Sequence, residues 1–556
     1  MHKARYGSWP RKLLCVLFVL VISANTSAKR QERMVSTWRP NNYDVSVTLD
    51  DKLTEILKAR VVIDVQVLKD GVNVIDLDFG EMPVDAVTLD GKPAKFDRTP
   101  SLLNVYLPAA SRTNAQLSIA VDYHGRPKDG LILAADKDGK PSATGDNWPN
   151  RVHHWIPCLD HPSGKAPVKF AITAPARDLV VANGKLDGVT DASQNTRTWT
   201  YTEAVPIPAY CMVLAVGEYA RFEPTTPALT SLSYYVPQSD GPLAIPGFTP
   251  AAPSVKFFSE TVAPYPYEKL ALIVGATRFG GMENSSAIVF ASNVLRPRPN
   301  PSVSRAFNIS EGLETVIAHE IAHQWFGDSV TEANWADLWL SEGFATYFAG
   351  LFIQKHDGEE AFQRYMRQAA ENYLAYEAKT RTPLHDTETE NLMNLLNANN
   401  YQKGSWVLHM LRTDLGDKAF FAGIKDYFEA HKNSNASSKD LRSALEKASG
   451  KDLNEFFASW VYGTGHPMYE VSWKFLPKQS LVQITLKQAQ PEAFFPNSVP
   501  LTIPMTLKPG EAPSKLVLHP KSKLTVQDFH LAESPRSIQV DPDNTILKEV
   551  IVKGAE

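Results

Sequence analysis

Leu313-Glu314-Thr315-Val316-Ile317-Ala318-His319-Glu320-Ile321-Ala322-His323 decides how the middle of this 556-residue chain is read. Its apolar residues at 313, 316, 317 and 321 recur three and four apart, the spacing of one helical face. Asn308 and Glu311 stand three apart, as an N-terminal capping box requires. On such a helix, at 100° per residue, the two imidazoles lie within about 40° of each other, one turn above another, so both reach one cation. Glu320 is rotated off that line, where a carboxylate can take a proton from a metal-bound water. The string itself arises by chance roughly 0.04 times in a chain of this composition, and two solvated histidines would also explain it. A hydrolytic zinc site needs three protein ligands and one open position. Trp339-Leu340-Ser341-Glu342-Gly343-Phe344-Ala345-Thr346-Tyr347 offers the third. Glu342 precedes an apolar face of Phe344, Tyr347, Phe348, Leu351 and Phe352, which puts it in the first turn of a second helix. Two His and one Glu form a ligand set of hydrolytic zinc.

Outward from this centre the pattern changes twice. From about 308 to 461 most windows carry apolar residues three and four apart, so the segment reads as mainly helical. From 35 to 235 short stretches alternate, as in Val72-Asn73-Val74-Ile75-Asp76-Leu77, with turn pairs such as Asp90-Gly91, which reads as an antiparallel β domain. Residues 224–253 contain seven of the 39 prolines and read as a linker. Beyond His466 alternation returns, in Tyr469–Trp473 and Leu481–Leu486, and 466–556 reads as a C-terminal β-sandwich. The expected architecture is multidomain α+β, with 236–465 as the central domain.

Composition narrows the function classes. The first acidic residue is Glu32; before it come Lys3, Arg5, Arg11 and Lys12, then the apolar run Leu13–Ala24 and the small residues Thr26-Ser27-Ala28. A run of about 12 residues suits a signal peptide and is too short to span a bilayer, so residues 1–28 read as a leader and the protein as secreted, periplasmic or extracellular. Losing those basic residues takes the net charge from −4 to −8, which argues against nucleic-acid binding. No later run has spanning length, so the mature chain is not expected to be an integral membrane protein. Only Cys158 and Cys211 remain, either one bridge or two buried thiols.

His319-Glu320-x-x-His323 followed by Glu342, with Arg278-Phe279-Gly280-Gly281-Met282-Glu283-Asn284 upstream and Tyr401-Gln402-Lys403-Gly404 downstream, resembles the zinc aminopeptidase family typified by aminopeptidase N. Trp155–Asp160, Pro206–Tyr210 and Pro264–Leu270 resemble further family segments. The resemblance implies a thermolysin-like catalytic domain and one zinc ion on His319, His323 and Glu342. It implies Glu320 as general base and Tyr401 as hydrogen-bond donor to the carbonyl oxygen of the transition state. Gly280, Gly281, Met282, Glu283 and Asn284 would bind substrate, Glu283 holding the free α-ammonium of a peptide. Where relatives carry a Gln or Glu that shares this amine, Asp146-Asn147-Trp148-Pro149-Asn150 has neither. Asp337 and Thr346 are candidates to orient the zinc ligands, and His153-His154 reads as a packed or solvated pair. The rival readings are endopeptidase or epoxide hydrolase chemistry on the same centre, and a non-catalytic peptide-binding module.

Overall fold

The computed structural model describes residues 30–553 apart from 194, 226–227, 297–301, 308–309 and 504–512. The expected leader, residues 1–28, and Asn308 of the expected capping box lie outside the described residues.

The N-terminal region is built on an eight-stranded sheet. Its strand Trp38–Leu49 buries Tyr43, Val45, Val47 and Leu49, every second residue, as a strand with one face on a core must. That strand runs antiparallel to Ile56–Val67 but parallel to Ala166–Pro175, so the sheet is mixed where the alternation suggested a wholly antiparallel one. The two parallel strands are separated by more than a hundred residues, which include one whole three-stranded sheet and two strands of a four-stranded one, and that leaves room for the return crossing a parallel pair needs. Asp90 and Gly91 both have positive φ, at 48° and 76°, the tight hairpin turn that an Asp-Gly pair favours.

The proline-rich stretch is not a linker. Ser231–Pro237 is a strand in a five-stranded sheet spanning Tyr219 to Ala291, and helices α1 (Gly241–Gly247) and α2 (Ala251–Thr261) follow it. Most of its described prolines sit where no backbone N–H is needed: Pro237 ends the strand, Pro242 opens α1, and Pro250 and Pro253 flank the first turn of α2.

Helices α3 (Glu311–His323), α4 (Trp339–Asp357), α5 (Glu359–Glu377), α6 (Gly404–Leu415), α7 (Asp417–His431), α8 (Ser438–Ser449) and α9 (Asn454–Trp460) complete the central region. Ser310, not Asn308, is the N-cap of α3. Every residue of α4 from Trp339 to Ile353 is buried, so this helix is the axis of the core rather than a surface helix with one apolar face. Beyond it come a four-stranded sheet that includes Met468–Leu476 and Leu481–Gln488, and a three-stranded one that includes Val499–Ile503. Val471, Ile484, Leu501 and Ile503 share one continuous core with α3 and α4, whereas the N-terminal strands enclose a core of their own.

Candidate active site

Helices α3 and α4 pack so that the last turn of one faces the first turn of the other. His319 Nε2 and His323 Nε2 lie 3.0 Å apart, and each is 3.3 Å from Glu342 Oε2. A tetrahedral zinc with bonds near 2.05 Å has ligand–ligand edges of about 3.3 Å, so the triangle has the required size. The donor chemistry agrees. Glu342 Oε2 is buried and accepts no hydrogen bond. His323 Nδ1 is 3.1 Å from the Phe326 carbonyl, which can only accept, so Nδ1 carries the proton and Nε2 presents its lone pair. Ser341 Oγ, 3.1 Å from the same Nδ1, adds to that hold. The residues fit a zinc ion.

Tyr401 reaches this triangle through a distortion of the chain. Asn399–Lys403 forms a π turn ahead of α6, and Gly404 at its end meets Gly343 of α4 backbone to backbone. A methyl on Gly343 would stand 2.8 Å from Gly404 Cα and 3.2 Å from the Asn400 carbonyl, so neither helix tolerates a side chain there. The result lays the Tyr401 ring parallel to the His319 imidazole, 5.8 Å between centroids. Burial, then Glu342, Glu283 and Glu320, push its phenol well above the usual range, so it remains a proton donor at neutral pH.

The other wall is the edge strand Gly281–Met282, paired among the described residues on one side only, with Ala287–Ala291. A methyl at Gly281 would lie 2.4 Å from the Glu320 carboxyl carbon, so this glycine makes room for Glu320; a methyl at Gly280 would meet nothing within 4 Å. The carboxylates of Glu283 and Glu320 and a ring nitrogen of His323 lie within 4.8 Å of one another. Burial pushes Glu320 well above the usual carboxylate range, with Glu283, Glu342 and Asp328 adding to it and His323 opposing it. Burial likewise raises Glu283, again against His323. For Glu342 burial is outweighed by the two imidazoles, which hold it low, and His323 is raised in return. Three carboxylates set around two imidazoles crowd like charges together, and a metal cation and an ammonium group would relieve that crowding.

These residues line one cavity of about 600 Å³. Gly280, Gly281, Met282 and Glu283 all face it, and so do His319, Glu320, His323, Glu342 and Tyr401. Asn284 does not: the chain turns inward after Glu283, leaving Asn284 fully buried with its Nδ2 3.4 Å from the Met282 carbonyl. Asp337 bonds to His385 and Ser438 and not to His319, His323 or Glu342; the groups that hold His323 Nδ1 are Ser341 and the Phe326 carbonyl. Thr346 lines the cavity with its hydroxyl unpaired. His153 and His154 pack ring on ring at 4.2 Å, His153 held by Asp160. Cys158 and Cys211 are separate buried thiols. In the stretch without Gln or Glu, Asp146 is tied to Arg151 at 2.9 Å, while Trp148 walls the cavity edge-on to Phe279. Pattern reading passed over Trp148 because an indole carries no motif.

The Peptidase M1 N-terminal domain profile matches residues 39–211, and the Peptidase family M1 domain profile matches 250–460. The chain is 29% identical over 420 residues to "Probable aminopeptidase 1" of Sulfurisphaera tokodaii, covering 72% of this chain and 50% of that protein. It is 27% identical over 481 residues to "Aminopeptidase 2" of Candida albicans, covering 82% and 51%. It is 26% identical over 473 residues to "Aminopeptidase N" of Lactobacillus helveticus, covering 82% and 54%. The chain thus spans about half the length of the curated relatives it matches. Among the described residues no helix is long and apolar enough to cross a membrane. On its two matched segments, its fold and the agreement in motif order, the chain belongs to peptidase family M1.

Proposed function

We propose that this protein is a zinc aminopeptidase that releases the first residue of peptides with a free N-terminus. The observation that carries the reading is the position of the Glu283 carboxylate, within 4.8 Å of Glu320 and His323 and beside the His319–His323–Glu342 triangle. The nitrogen and carbonyl carbon of one amino acid are about 2.5 Å apart. An ammonium held on Glu283 therefore leaves only the first carbonyl in reach of the metal ligands. A bound zinc ion supplies Lewis acidity toward that carbonyl and makes water a nucleophile near neutral pH. Glu320, its carboxylate set against the edge strand at Gly281, accepts the proton of the attacking water and returns it to the leaving amine. The Tyr401 hydroxyl donates to the carbonyl oxygen as charge gathers on it. Gly280 and Gly281 leave the strand edge clear for a peptide backbone to pair along it. The names of the relatives support the same activity. On the leader-like residues 1–28 we extend the proposal to an exported protein.

Hydrolysis of amino-acid anilides, with the amine free or acetylated, tests the reading when repeated after chelation and after zinc return. Free-amine substrates are expected to turn over, to stop on chelation and to recover with zinc. Equal cleavage of the acetylated series would instead mark an endopeptidase, and turnover indifferent to chelation would remove the metal from the reaction.

A further inference from the structure

Gln324 follows the second histidine directly, is fully buried, and uses every hydrogen-bonding position of its amide. Its Nε2 donates to the Glu283 backbone carbonyl at 3.1 Å and to Asp328 Oδ2 at 2.9 Å. Its Oε1 accepts from the Ser286 N–H at 2.8 Å and from the Tyr265 hydroxyl at 3.1 Å. No flipped amide fits, because the Glu283 carbonyl can only accept and the Ser286 N–H can only donate.

The segment so gripped is under strain. Ser286 stands at φ 61°, a left-handed conformation that residues with a side chain rarely adopt. Its hydroxyl donates to Glu203 Oε2 at 2.8 Å and accepts from the Gly184 N–H at 2.7 Å. The turn after Glu283 is thus fastened from α3 on one side and from the N-terminal strands on the other. Tyr265 belongs to Pro264–Leu270, a segment with no part in the chemistry above; its hydroxyl divides its proton between Gln324 and the Lys269 carbonyl at 3.0 Å.

From this arrangement we infer that Gln324 is the positioning residue for the amine anchor. It ties the backbone of Glu283 to the residue next to His323, so the distance from ammonium to metal is set by one peptide bond and one amide clamp. Independent packing of an edge strand on a helix would leave that distance looser, and a shift of 1 Å is enough to cost a site about a hundredfold. The inference rests on the aminopeptidase reading and deepens it.

The test uses the full zinc-loaded chain and two hydroxamates that chelate alike, L-leucine hydroxamate and its des-amino analogue, 4-methylpentanoyl hydroxamate. With Gln324→Leu, the inhibition constant of the amine-bearing compound is expected to rise roughly tenfold while that of the des-amino compound moves less than about twofold, with one zinc per chain retained. General damage to the site would move both. Tyr265→Phe, which removes one hydroxyl, is expected to shift the same ratio about two- to threefold, and it carries the test if Gln324→Leu does not fold. A ratio unchanged in both variants, or constants that rise together, overturns the inference. Wild-type protein that binds the two hydroxamates equally overturns the amine reading itself, and the two failures are therefore told apart.

Discussion

At the scale of single residues, the proposed site separates two jobs that simple substitutions can isolate. Glu320→Gln keeps the volume and removes the proposed base, so zinc content is expected to stay at one per chain while kcat falls by about 10³. Tyr401→Phe keeps the stacking on His319 and removes the proposed donor to the oxyanion, and kcat is expected to fall by about 10² to 10³ with KM little changed. Both are read by steady-state kinetics beside metal analysis. A variant at 320 with wild-type turnover would mean the proton goes elsewhere, and loss of zinc on changing Tyr401 would make the phenol a scaffold instead of a donor. The roles differ because the surroundings do: the same burial that raises Glu320 leaves Glu342 low, since only Glu342 has both imidazoles against one oxygen.

At the scale of elements, two glycine contacts decide where those side chains stand, and they predict opposite costs. At Gly281 the obstacle to a methyl is the end of the Glu320 side chain, which can swing away. Gly281→Ala is expected to melt within about 2 °C of wild type and keep its zinc, yet lose roughly 10- to 100-fold in kcat. At Gly343 the obstacle is the backbone of Gly404 and Asn400, which cannot yield without moving α6. Gly343→Ala is expected to lose about 1–3 kcal/mol in a urea titration, and activity with it, because the π turn carrying Tyr401 is pushed off α4. Equal stability of the two variants would mean that the helix contact is slack. Turns of this π type recur where a helix must aim one side chain, and Asn399–Lys403 does so here.

At the scale of the whole molecule, the catalytic helices are held from both ends. From the N-terminal strands, Lys165 Nζ reaches the backbone oxygens of Asp328 and Ser329 at 2.7 and 2.8 Å, in the loop that follows His323. From the C-terminal side, His466 Nδ1 bonds to Glu377 at the end of α5, and Trp460 packs on Phe495 with centroids 4.7 Å apart. Burial opposes the charge on Glu377, but His466, Lys403 and Arg381 outweigh it and lower its pKa from 4.5. A carboxylate lowered on folding adds stability above its unfolded pKa, and that stability is lost as pH falls through the folded value. Glu377→Gln is therefore expected to cost about 2 kcal/mol at pH 7 and progressively less as pH falls below about 4.5. Urea midpoints for both proteins at pH 7 and pH 4 check this, and a difference that widened on acidification would reverse the assigned sign.

Much of this was legible in the chain because it is local. A four-residue interval on a helix forces two imidazoles onto one face whatever surrounds them, and Glu342 in the first turn of α4 follows from the aromatic run behind it. Alternation marked the β regions at both ends for the same reason: the period of a strand is a property of its own backbone. What depended on distant partners was not legible. The prolines of 224–253 read as a break because their neighbours in a sheet and in helix first turns are unseen in one dimension. The parallel pairing of Trp38–Leu49 with Ala166–Pro175, the inward turn that hides Asn284, and the indole of Trp148 in the cavity wall are likewise choices of packing. The candidate metal centre is thus written in short intervals, since His319, His323 and Glu342 need only the geometry of two helices to meet. The distance from that centre to Glu283 belongs to tertiary structure alone, because a hydrogen-bonded amide joins Gln324 to Glu283 across 41 positions of the chain.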